Sequence, residues 1–276
     1  MTNDAASSYP TSAWSDWVLL RLPGEDAAEW LNGQCTQGLL DAPVGSLMAT
    51  AFCDERGKVW GFGHLRIGGD AIELALDRRQ ADRLQAVVEE RVILEDVTLQ
   101  RQTGVRARLS SLAHPSALLA VPAGPWTLSF TETEEGSDEA DRDAVEIALG
   151  WPGNAETAAS PLVQELGPEF VEKAVSFTKG CYVGQEIVAR VHSRGRVHRR
   201  WVALLASEPF PAGATVHTDS RGAARVLRTG RLPSGRWVGS ALVSTEEAVE
   251  GQILTVRCGD RELTATVGLP GRIELP

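Results

Sequence analysis

The chain has 276 residues, which at roughly 150 residues per domain predicts about two domains and a core that needs no disulfide or metal to hold it. Its 27 basic and 37 acidic side chains leave a net charge of −10, a field that argues against a general DNA binder. With 43% hydrophobic and 23% charged residues, the composition is that of a globular protein rather than a disordered one.

In chain order, a polar start is followed by a strand over Trp17 to Leu22, after which Gly24-Glu25-Asp26 opens a helix carrying Ala27, Ala28, Trp30 and Leu31. Two strands, Leu47 to Cys53 and Val59 to Ile67, form a hairpin across Asp54-Glu55-Arg56-Gly57. A strand over Ala71 to Leu76, a helix over Arg78 to Arg91 and a strand over Ile93 to Leu99 follow. Hairpin-paired strands with helices on one face indicate an α+β unit, and there is no Rossmann or P-loop glycine pattern. Thr131 to Asp143 is acidic and reads as a solvated loop running into a helix that ends at Gly150-Trp151-Pro152-Gly153. Beyond a boundary near residue 198, short runs at Arg200 to Ala206, Thr215 to His217, Val226 to Leu227, Trp237 to Leu242, Ile253 to Arg257 and Leu263 to Val267 suggest a small all-β barrel.

No apolar run of about 18 residues is present, and the opening MTNDAASSYPTSAW has no basic or apolar leader segment, so neither membrane insertion nor export is expected. The cysteines at 35, 53, 181 and 258 lie far apart without a CxxC pair, as befits a reducing compartment, and the expected location is the cytoplasm. Only three basic residues are lysines, Lys58, Lys173 and Lys179, so a lysine in this Arg-rich chain reads as a requirement.

The most unusual window is Lys179-Gly180-Cys181-Tyr182-Val183-Gly184-Gln185-Glu186. Gly180 and Gly184 permit an exposed elbow for Cys181. A helix over Gln185 to Val191 would place the thiol near a helix N-terminus, where that end and Lys179 favour the thiolate. The alternative is a buried cysteine acting as a small hydrophobe. Glu186 and Arg190 are spaced to pair across one helical turn. Arg190, His192, Arg194, Arg196, His198, Arg199 and Arg200 form either an anion site, suited to carboxylates, or a basic rim that pairs with the chain's own acids. His64, His114 and His217 stand alone, and no ligand spacing for a metal is present.

The run KGCYVGQEIVAR, residues 179 to 190, resembles the KGCYxGQE motif of the folate-binding YgfZ family, which is related to the glycine-cleavage T-protein aminomethyltransferases. Gly24 to Leu31, Gly33-Gln34-Cys35-Thr36, Glu55-Arg56-Gly57-Lys58-Val59 and Arg194 to Arg200 extend the resemblance over most of the chain. It implies a discontinuous first lobe with an inserted ferredoxin-like lobe (about 46–103) within residues 1–197, a C-terminal β-barrel at 198–276, and a central opening. The implied role is folate-dependent support of iron–sulfur cluster assembly or repair, with tetrahydrofolate or a derivative as ligand and iron–sulfur enzymes as clients.

In that role Cys181 and Lys179 would carry the chemistry, with Gly180 and Gly184 as the motif's backbone. Candidate ligand contacts are Tyr182, Gln185, Glu186, Arg190 and Arg196, with Glu165 as a displaced acid. The chain departs from the family in two places. Gln37-Gly38 stands where relatives carry Asn-Asp, and Glu146-Ile147-Ala148-Leu149-Gly150-Trp151-Pro152 stands where they read Arg-x-Glu-Ala-Gly-x-Pro. Ala148 cannot accept a hydrogen bond from a pterin as the family's Glu does, which leaves Glu146 or Glu165 to substitute. Two further readings are a tetrahydrofolate-dependent aminomethyltransferase, which needs a carboxylate at the reacting amine, and a non-folate scaffold that binds partner proteins.

Overall fold

The structure, a computed structural model, describes residues 13–14, 16–110, 113, 116–123, 126–132, 141–217 and 223–275. His114 and the middle of the acidic run, residues 133–140, lie outside them. A short strand, β1 (Ala13–Trp14), precedes β2 (Trp17–Pro23), and β2 shows how the first half of the chain is layered. Its side chains alternate between two cores, Val18, Leu20 and Leu22 facing one and Trp17 and Leu19 the other. Burial on both faces explains why the strand is apolar apart from Arg21, which is half-buried and pairs with Asp70.

After β2 come α1 (Ala27–Gln34), the hairpin β3 (Leu47–Cys53) and β4 (Val59–Ile67), β5 (Ala71–Asp77), α2 (Arg78–Arg91) and β6 (Gln100–Arg101). The antiparallel order is β3-β4-β5-β2-β6. Without the edge strand β3 this is the order of a ferredoxin-like unit, in which β5 lies between two strands joined through a helix. The sheet already includes Trp17–Pro23, so this lobe begins well before residue 46. The anticipated strand over Ile93 to Leu99 is absent. Instead the Glu95 carboxylate accepts the Ile93 and Leu94 N–H groups at 2.9 and 3.0 Å, turning the chain and leaving both apolar side chains exposed.

A second sheet, of order β1-β7-β9-β8, is built from β7 (Arg106–Ser110), β8 (Leu119–Ala123) and β9 (Trp126–Thr131). Leu109, Val121, Leu128 and Phe130 pack against Trp17, Leu19 and Phe62 of the first sheet. Each such fully buried side chain contributes roughly 1.5–3 kcal/mol. The helices α3 (Arg142–Leu149), α4 (Asn154–Ala158), α5 (Pro168–Ala174) and α6 (Gln185–Arg194) then lead to the barrel. α3 ends on Gly150 in the left-handed conformation, φ 73°, as the breaker cluster requires.

The barrel comprises β10 (Arg199–Ala206), β11 (Thr215–His217), β12 (Ala224–Arg231), β13 (Trp237–Ser244), β14 (Ile253–Cys258) and β15 (Arg261–Gly268). It closes in the order β10-β13-β12-β11-β14-β15 around Val202, Leu204, Val216, Val256 and Val267. Among the described residues no helix is long and apolar enough to cross a membrane.

Candidate functional site

The sequence runs that carry the family resemblance converge in space. Lys179 donates to the carbonyls of Asn32, Cys35 and Gln37 at 2.5, 2.8 and 2.8 Å, while the Val183 N–H donates to Gly33 O at 3.1 Å. The β3–β4 turn packs against the start of α6. At Gly184, φ +84°, a Cβ would lie 2.5 Å from Asp54 O and 3.1 Å from the Gly57 Cα, so only glycine fits there. Gly180 has open space around it. In the turn, Asp54 Oδ1 accepts the Arg56 and Lys58 N–H groups, both at 2.9 Å.

This geometry gives Lys179 a task other than the one expected. All three of its N–H donors are taken by backbone carbonyls, and its Nζ lies 5.0 Å from the Tyr182 ring centroid, so the ammonium pins the turn after α1. Burial pulls its pKa down, partly offset by the nearby Cys35. Tyr182 is buried beneath it, and burial pushes the phenol pKa up. Cys181 is exposed on the turn before α6, whereas Cys35 and Cys53 are buried and burial raises both thiols.

A cavity of about 400 Å³ lies where the two sheets, α5 and the end of the barrel segment meet. Its wall includes Ala49 of β3, Phe62 and His64 of β4, Val121 of β8, Trp151 after α3, Phe170 and Lys173 of α5, and Gly271. The size is that of a small-molecule site, and the aromatic walls suit a flat ring. His64 is 6% exposed, with its ring centroid 4.5 Å from Trp151 and 5.1 Å from Phe62, and its Nε2 has no hydrogen-bond partner. Burial, and secondarily the charge of Lys173, lower its pKa to about 3, so the imidazole is neutral. Gln37 joins the cavity to the motif. Its carbonyl accepts from Lys179, and its side-chain amide donates to the carbonyls of Lys173 at 3.1 Å and Ala49 at 3.4 Å.

None of the ligand contacts expected from the sequence lines this cavity. Gln185 and Glu186 occupy the first turn of α6, Arg190 is exposed farther along it, and no ion pair joins Glu186 to Arg190 among the described residues. Arg196 lies instead on a second, more open cavity of about 770 Å³, with Arg200, Phe177 and His192. Glu165 is held by Arg199 through both oxygens, at 2.9 and 3.2 Å, and accepts the Leu162 N–H at 2.8 Å.

Glu146 is 1% exposed and accepts from Trp17 Nε1 and Arg142 Nε, each at 2.7 Å, and from Arg228. Both acids are thus committed to partners within the fold, and neither lines the cavity. Ala148 itself packs with Ala203, Leu232 and Val238 of the barrel segment. Sequence reading set His64 aside as solitary and gave Lys173 no role. The rarity of lysine was the signal that pointed to the latter.

No family model matches the chain. The "tRNA-modifying protein YgfZ" of Yersinia pestis (strain Pestoides F) is 28% identical over 251 aligned residues, covering 76% of this chain and 76% of that protein. The protein of the same name from Yersinia enterocolitica is 28% identical over 238 residues, covering 72% of each. Among solved structures, the crystal structure of glycine cleavage system aminomethyltransferase T from Bartonella henselae superposes with a TM-score of 0.71. It covers 96% of this chain and 87% of the other at 15% identity, so the likeness is one of fold. The chain is thus similar to proteins named YgfZ over about three quarters of its length and shares the aminomethyltransferase fold.

Proposed function

We propose that this YgfZ-like protein binds a tetrahydrofolate-type ligand in its central cavity and supports iron–sulfur enzymes in the cytoplasm, presenting Cys181 to the client. The observation that carries the reading is the aromatic cavity between the lobes, joined to the KGCYVGQE turn through Gln37. The residues present fit such a ligand, with Phe62, Trp151 and Phe170 for a flat heterocycle and an uncommitted His64 Nε2 within the wall. Glu169 is the cavity's carboxylate among the described residues, and it is paired with Arg272, which favours ligand binding over methyl or aminomethyl transfer. The curated relatives' name adds tRNA modification as the setting. A chain of net charge −10 reaches tRNA through a client enzyme more readily than by direct contact.

Two measurements test this. Calorimetric titration with tetrahydrofolate should give saturable binding that Ala49→Trp, which fills the cavity, abolishes while circular dichroism stays unchanged. Cys181→Ser should retain that binding yet fail to restore iron–sulfur enzyme activity in a deletion strain. Absence of binding by the wild type, or full rescue by Cys181→Ser, would overturn the corresponding half of the reading.

A further inference from the structure

We propose that His64 and Lys173 are the two polar contacts of the central cavity, His64 Nε2 hydrogen-bonding the heterocyclic head of the ligand and the Lys173 ammonium pairing with its anionic tail. The proposal rests on the folate-type reading above and assigns its ligand's two ends. His64 carries the stronger argument. A buried polar atom left without a partner is costly and rare, and this one belongs to a side chain in the wall of a cavity lined by Phe62, Trp151 and Phe170. Neutral imidazole can either donate or accept at Nε2, so it can meet a ring N–H, an amino group or a carbonyl. It therefore offers the polar contact that Ala148, turned toward the barrel, does not.

Lys173 supplies the other end. Lys173 lines the same cavity, its charge acts on His64, the residue is exposed, and its ammonium makes no hydrogen bond or ion pair among the described residues. The remaining polar wall groups are occupied. The Gln37 amide donates to two carbonyls and its oxygen accepts the Gly38 N–H at 3.0 Å, and Glu169 is paired with Arg272. A buried neutral donor-acceptor among aromatic rings and an exposed cation on one cavity select a ligand that is heteroaromatic at one end and carboxylated at the other.

The test titrates wild type, His64→Phe and Lys173→Gln with three probes: tetrahydrofolate, a tetrahydropterin without the benzoylglutamate, and p-aminobenzoylglutamate. Lys173→Gln should weaken tetrahydrofolate and p-aminobenzoylglutamate about tenfold and leave the tetrahydropterin unchanged, whereas His64→Phe should weaken both pterin-bearing probes about tenfold. Saturating tetrahydrofolate should also slow acylation of Lys173 in the wild type several-fold relative to Lys58, a readout that survives a misfolded variant. Wild-type binding with unchanged variant affinities, or with no protection of Lys173, overturns this assignment and leaves the folate reading standing. No wild-type binding overturns both.

Discussion

His64 couples the cavity to acidity. The unfolded chain protonates this side chain near its ordinary value of 6.5, while the fold keeps it neutral down to about 3, so between those values the unfolded state holds the extra proton. Its contribution is therefore complete above about pH 6.5 and is lost progressively as pH falls toward 3. Between about pH 7 and pH 5 the loss from this residue is about 2 kcal/mol. Urea unfolding at the two pH values should show wild type losing about that much more than His64→Phe. Equal losses would mean that the imidazole is accessible to protons in the folded state. Lys179 shows the converse at the same scale: a rare cation beside an exposed cysteine reads as an activator, yet its donors are spent on Asn32, Cys35 and Gln37. Sequence identifies such a lysine as required, but the carbonyls that require it lie some 140 positions away in the chain.

Among elements, the docking of α6 on the β3–β4 turn decides where the motif sits. Gly184 starts α6 in the left-handed conformation with Asp54 O and Gly57 Cα against it, so Gly184→Ala must both adopt a disfavoured φ and displace the hairpin turn. The expected cost is about 2–4 kcal/mol, read as a lowered urea midpoint, with Gly180→Ala, in open space, close to wild type. Comparable effects of the two substitutions would refute the close approach. The hairpin itself was legible from Leu47 to Ile67 because its strands are apolar and its turn is local, and α2 was legible because a helical face repeats within a few residues. The second sheet was not. Its strands are short, and Pro122 interrupts β8, which tolerates proline because it lies at the edge of the order β1-β7-β9-β8. The barrel strands were recognised, β11 with its full bounds and the others cut short, β12 most of all, because Arg225, Arg228 and Arg231 interrupt its apolar run.

Across the whole molecule, Arg228 explains both that misreading and the way the lobes are joined. It is 6% exposed, and its guanidinium donates to Glu156 at 2.9 Å, to Asp143 at 3.1 Å, to the Trp151 carbonyl at 2.8 Å and to Glu146. Glu146 passes the connection through Arg142 to Asp77, at 2.5 Å, at the end of β5, so a single network runs from the barrel through α3 to the ferredoxin-like sheet. Trp151, whose carbonyl Arg228 holds, also lines the central cavity. The network's carboxylates tolerate burial because the planar fork of the guanidinium meets several of them at once, which an ammonium cannot do. Arg228→Met should therefore leave Glu146 Oε2 without its partner and buried Glu156 without a countercharge, destabilising the fold by about 3–5 kcal/mol, and Arg228→Lys should recover only a minor part of that. Urea unfolding followed by circular dichroism measures the loss. Tetrahydrofolate titration of whatever folded Arg228→Met remains should show weakened binding, because the substitution loosens Trp151 in the cavity wall. Stability within about 1 kcal/mol of wild type would refute the network as the tie between lobes.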